Sequence, residues 1–136
     1  GYGIRGGAVA TSIAHDSHNV VTAGDNDADM LLAVRALAEM DGGIVMVCGG
    51  TITGRLPLPV AGLLTTAPPA ETGRTLGRMI AAAHADLAIP AEVEPFMTLS
   101  FMALPVIPSL KITARGLFDV ERFAFVETAA EAPLPV

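Results

Sequence analysis

A chain of 136 residues with a formal charge of −6 and eight scattered basic residues has the size of a single domain, and it lacks the clustered Lys and Arg that a nucleic-acid partner requires. Of its residues 51% are hydrophobic but only 4% aromatic, so the core must be aliphatic, and no apolar run reaches membrane-spanning length or reads as a signal peptide. The single cysteine, Cys48, excludes an internal disulfide and suits a reducing cytosol.

The first residue is Gly rather than Met and runs straight into structured-looking sequence, which suggests a piece of a longer polypeptide, with trimming as the plainer alternative. Residues 8–14, small and partly β-branched, predict a strand, and residues 19–24 a second one; the polar stretch His15-Asp16-Ser17-His18-Asn19 joins them as a turn or strand end. After Asp25-Asn26-Asp27 a helix is expected to about Met40. Asp25 or Asn26 would cap its start, and Asp27 and Asp29 would sit at the positive end of its dipole. Met30, Val34, Leu37 and Met40 would form its apolar stripe, widened by Leu31 and Ala38, before Gly42-Gly43 stops it. Residues 43–47 and 51–56 flank Cys48-Gly49-Gly50 as a hairpin, and Pro57 and Pro59 break the second strand. Val60 to Leu64 reads as one short helical turn.

Pro68-Pro69 opens a second long helix, over roughly 71–87, with Leu76, Met79, Ile80, Ala83 and Leu87 inward and Arg74, Arg78 and Asp86 solvated. A third, over 96–104, is apolar on nearly every side, which predicts a buried helix. Residues 110–113 and 122–126 are strand candidates around Arg115-Gly116. The Ala/Pro/Glu-rich tail, 127–136, is expected to fray, leaving one domain over 1–126. The pattern is α+β: a mostly antiparallel sheet built from hairpins and covered by about three helices.

Chemistry concentrates at His15-Asp16-Ser17-His18-Asn19. Asp16, Ser17 and His18 cannot act as a catalytic triad, because neighbouring side chains cannot line up nucleophile, base and orienting group. His15 and His18 would leave a strand on opposite faces and could converge only in a turn. Cys48 and His84 lie elsewhere, so a metal site wholly inside the chain is not expected. Asp16 can favour a protonated imidazole through its charge. In the plainer reading Asp16, Ser17 and Asn19 hold backbone N–H groups of a tight turn. Gly1, Gly3 and Gly6 match G-x-G-x-x-G, but with no preceding strand and with a strand following, the match does not describe a dinucleotide site. Cys48 reads as a small buried hydrophobe, and the Met and Phe residues at 96–102 as core.

Three long stretches, GAVATSIAHDSHNVV, GGTITGRLPLPVAGL and PFMTLSFMALPVIPSLKITARGLFDV, occur in this order. Together they resemble the C-terminal domain of bacterial adenine deaminase, over residues 1 to about 126. The resemblance implies a parent enzyme that hydrolyses adenine to hypoxanthine and ammonia, using manganese or iron in a preceding amidohydrolase barrel absent from this chain. It implies no cofactor in the chain itself, a cytoplasmic setting and a homo-oligomer. If the polar stretch faces the barrel, His15, Asp16 and His18 would assist proton transfer and Ser17 and Asn19 would bind the purine; otherwise the stretch is a turn lock. Against this stand a stand-alone binding or oligomerisation module, using the Met/Phe segment or a sheet edge, and a separate small hydrolase built on His15 and His18.

Overall fold

The computed structural model describes residues 2–127. Its elements run β1 (Gly7–Thr11), β2 (Val21–Gly24), α1 (Asp27–Glu39), β3 (Gly43–Cys48), β4 (Thr51–Pro57), α2 (Pro69–Asp86), α3 (Pro95–Phe101), β5 (Leu110–Thr113), β6 (Gly116–Asp119) and β7 (Ala124–Phe125). The expected α+β class holds, with two antiparallel sheets rather than one: β2-β1-β3-β4 and β5-β6-β7.

The central strands β1 and β3 are buried on both faces, which is why, apart from Thr11, they are built of small and apolar residues without alternation. Successive side chains alternate between two cores. Val9, Ile44 and Met46 pack with Met79, Ala83 and Leu87 of α2 and its end, and with Phe96 and Leu99 of α3. Ala8, Ala10, Val45 and Val47 pack with Ala33, Ala36 and Leu37 of α1. The sheet is therefore sandwiched between α1 and the α2/α3 pair. The β3–β4 hairpin turns on Gly49-Gly50, with φ of 54° and 77°, the left-handed pair that a two-residue turn needs.

Several expectations are corrected. β1 ends at Thr11, not Ala14, because Ser12 ties the chain elsewhere: its Oγ accepts from Gly43 N–H at 2.7 Å and donates to the Gly62 carbonyl at 2.6 Å. In α1 the cap is Asn26, one of the two residues expected, which accepts from Asp29 N–H at 2.9 Å; Leu31 and Ala38, expected in the apolar stripe, face solvent. Met30, Val34, Leu37 and Met40 pack in this core as expected, and the stripe is widened by Ala33 and Ala36, whose small side chains allow close approach to Ala8 and Ala10. Val60–Leu64 is not helical; reciprocal bonds, Val60 N–H to Leu64 O at 3.0 Å and Leu64 N–H to Val60 O at 3.1 Å, close it as a bridge.

The second helix follows its expected stripe, with Leu76, Met79, Ile80, Ala83 and Leu87 in the core. The third does not: α3 ends at Phe101 and buries Phe96 and Leu99, leaving Met97, Phe101 and Met102 exposed. β6 had no sequence counterpart, and the strand expected over 122–126 shrinks to Ala124–Phe125. Most of the expected tail lies outside the described residues.

Candidate functional site

The segment from Ser12 to Val20 leaves β1 and returns as β2, so the polar residues occupy a surface loop between two paired strands. Backbone bonds fix it. Ala14 is fully buried; His15 N–H donates to the Ser100 carbonyl of α3 at 2.8 Å, and His18 N–H to the Ala14 carbonyl at 2.7 Å. Asn19 Nδ2 donates to Ser17 Oγ at 3.0 Å. The side chains from His15 to Asn19 all face solvent. Residues 15–17 form a turn, so the alternation of faces expected for a strand does not apply to His15 and His18.

The two histidines differ in another way. The His15 ring packs on Phe101 with centroids 5.2 Å apart and planes inclined by 34°. This contact orients the imidazole. Among the described residues no comparable ring contact holds His18. The loop thus presents two imidazoles and the Asp16 carboxylate on a backbone pinned to α3, a set able to exchange protons and accept or donate hydrogen bonds but not, alone, to build a metal centre.

The other donors named above are committed elsewhere. His84 Nδ1–H donates to the Ile89 carbonyl at 3.0 Å, closing the end of α2. Cys48 is partly buried at the rim of the α2-side core, its Sγ 3.8 Å from the Asp86 carbonyl. Among the described residues, no three His, Cys, Asp or Glu side chains converge as a metal would require. The resemblance places manganese or iron in the preceding barrel, and the donors among the described residues of this domain do not fit either metal. Gly6 leads directly into β1, so the glycine-rich opening has no helix against which to seat a phosphate.

Two acidic residues do work that spacing did not reveal. Asp29 is buried, and its carboxylate accepts from Gly50 N–H at 2.9 Å and Asn26 Nδ2 at 3.0 Å, joining α1 to the β3–β4 turn. Asp25 accepts from Gly6 N–H at 2.6 Å, Gly7 N–H at 3.1 Å and Asn26 Nδ2 at 3.1 Å, clamping the entry strand. The Gly6 bond, with help from Asn26, holds the Asp25 carboxyl below its ordinary range. A depressed folded-state value means stability present above the ordinary carboxylate range and lost as pH falls through the folded value. Asp25→Asn is thus expected to melt below the wild type at pH 7, with the gap closing on acidification. An equal gap at both ends of a pH series of melting curves would contradict this.

Asn19 also lines a cavity of about 640 Å³ whose other walls come from β2, the end of α3 and β5. Tyr2 lines it too. Its hydroxyl donates to the Pro95 carbonyl at 2.8 Å, and burial, aided by the Glu94 carboxylate, pushes the phenol well above its ordinary range.

Comparison with known proteins assigns this arrangement to a family. The family model described as the adenine deaminase C-terminal domain matches residues 1–124. An adenine deaminase of Nitratidesulfovibrio vulgaris (strain DP4) is 60% identical over 125 residues, covering 92% of this chain and 22% of the relative. One from Leuconostoc mesenteroides is 52% identical over 126 residues, 93% of this chain and 22% of the relative. Adenine deaminase 2 of Desulfotalea psychrophila is 47% identical over 130 residues, 96% of this chain and 23% of the relative. The chain spans about a fifth of the length of these curated relatives.

Proposed function

Because the chain belongs to the adenine deaminase C-terminal domain family, we propose that it serves as the last domain, over residues 1–126, of a cytoplasmic, oligomeric enzyme of purine metabolism that converts adenine and water to hypoxanthine and ammonia. The observation that carries this is 60% identity across nearly the whole chain to the final part of a protein named for that reaction. In the reaction, oxygen from water bonds to C6 of the purine as the C6–N bond breaks; one proton of the water goes to the amino group, which leaves as ammonia, and the other to N1 of the ring, giving hypoxanthine. Manganese or iron, in a preceding amidohydrolase barrel, would supply the Lewis acidity that activates the water.

This domain's own part in the reading is the loop from His15 to Asn19. His15, Asp16 and His18 would hold or pass protons near the departing amine, and Ser17 and Asn19 would meet the purine edge. The support is geometric: the side chains are exposed, the backbone beneath them is pinned to α3, and the His15 ring is oriented by Phe101.

The test compares the full-length protein with the chain of residues 1–136 alone, each incubated with adenine and manganese or iron, with ammonia as the readout. The full-length protein should turn over adenine. The chain alone should match a protein-free control, because its donors do not assemble a metal set among the described residues. Ammonia well above the control from the short chain would overturn the accessory role.

A further inference from the structure

The small sheet is inside out. Side chains alternate across a strand. On β5 that alternation buries the chain's sole lysine and exposes its aliphatic neighbours: Lys111 is 8% exposed, Leu110 52% and Ile112 77%. Lys111 lies opposite Phe118, and its Nζ donates to the Pro108 carbonyl at 3.4 Å. Leu110 and Ile112 instead line the cavity of about 640 Å³, with Val20 before β2, Val21 in it, Met102 after α3, and Tyr2. Val20 and Met102 are also about half exposed. β2 and β5 are each the outermost strand of their sheet. The cavity is thus bordered by two strand edges with no partner among the described residues, and its lining is largely apolar. Free edges and contiguous apolar surface are liabilities in water unless something covers them. The alternation of β5 puts Leu110 and Ile112 on one face, and an apolar face of an alternating strand is normally the one packed against other protein.

We infer that this cavity seats the preceding part of the same polypeptide, an apolar segment of which covers Leu110 and Ile112 and runs beside the free edge of β2. The inference rests on the reading of the chain as the last domain of a longer deaminase. It has two supports. The matched family is a C-terminal domain and the chain covers 22% of a relative's length, so in the relatives most of the polypeptide lies upstream. Tyr2, at the start of the described chain, itself lines the cavity and is tied to Pro95, so residues joined upstream arrive at the cavity's rim. A segment tethered there has an effective concentration in the millimolar range, an advantage that a second copy of the chain lacks. Covering the cavity also brings the upstream part to Asn19, and hence to the polar loop.

The experiment is hydroxyl-radical footprinting of the full-length protein, read residue by residue by mass spectrometry. Leu64, 64% exposed and not among the residues that line the cavity, is the internal reference for Leu110. Leu110 should oxidise at least about tenfold more slowly than Leu64, with Ile112 and Met102 likewise protected, as burial of a contiguous patch requires. The protection should survive about hundredfold dilution, which would separate two copies, and truncation after Glu127. Ile112→Asp should bring the Leu110 rate toward that of Leu64. Equal rates in the wild type would overturn the inference. Protection lost on dilution would mean a second copy occupies the cavity, and protection lost on truncation would mean the chain's own tail does; either overturns it. Adenine turnover on the same sample separates the two readings. Turnover with an exposed cavity defeats this inference alone, and a covered cavity without ammonia defeats the deaminase reading alone.

Discussion

Gly43→Ala is expected to remove a large part of the domain's stability. Gly43 opens β3 with φ of 133°, a conformation that side chains rarely adopt, and an added Cβ would lie 2.0 Å from the Leu56 carbonyl oxygen and 3.0 Å from Leu58 N. Those atoms cannot step aside. Gly43 pairs with Pro57 and Ile44 with Leu56 in the β3–β4 ladder, and Leu58 N–H donates to the Gly42 carbonyl at 3.0 Å. Gly43 itself is held by Ser12 on both backbone groups, through Ser12 N–H at 3.1 Å and Ser12 Oγ at 2.7 Å. Backbone strain of about 1–3 kcal/mol and a similar overpacking term of about 1–3 kcal/mol add to roughly 2–6 kcal/mol. Against a usual total of about 5–15 kcal/mol this is severe. Gly49→Ala is the control: its φ of 54° is also left-handed, but nothing lies within 4 Å of the added Cβ, so only a backbone cost of about 1–2 kcal/mol applies. Denaturant unfolding of both variants would decide; equal losses would show that the close approach at Leu56 is not what requires glycine.

The same contrast explains what could be read from the residues and what could not. The Asn26 cap, the α2 stripe and the turn at Gly49-Gly50 are local, and local chemistry predicts them. The order β2-β1-β3-β4 is not local. β1 and β3 are both buried and, Thr11 apart, built of small or apolar residues, so nothing in either says that they lie side by side. In α1 the large residues misled: Leu31 points to solvent while Asp29 is buried, because the Gly50 N–H, distant in sequence, satisfies its carboxylate. The α3 segment is apolar all round, so composition could not say which side would be left bare. The polar loop was visible as a cluster of residue types. The ring of Phe101 that sets His15 apart from His18 was not, since 86 positions separate the two and α3 must first dock near β1 and β2.

On the proposed role of the loop, that ring contact carries the largest expected functional effect. In the full-length protein, His15→Ala is expected to lower kcat/KM for adenine by about 10²–10⁴-fold, the usual contribution of a positioned general acid or base. A group that passes a proton must be held in orientation as well as within reach. His15 meets the first condition through Phe101, at 5.2 Å between centroids, and through a backbone N–H bonded to Ser100. His18 has φ of 52° and no such ring contact among the described residues, so His18→Ala should cost less than about tenfold. Both side chains are exposed, and exposed substitutions usually stay within about 0.5 kcal/mol, so neither variant should shift Tm appreciably. Phe101→Leu keeps an apolar side chain while removing the ring; if orientation matters, it should lower kcat and leave KM close to the wild type. The measurements are kcat, KM and Tm for the three full-length variants. Near-normal turnover in both histidine variants would leave the loop as a turn lock held by Ser100 and Ala14. Parallel loss of Tm and turnover in both would make it structural.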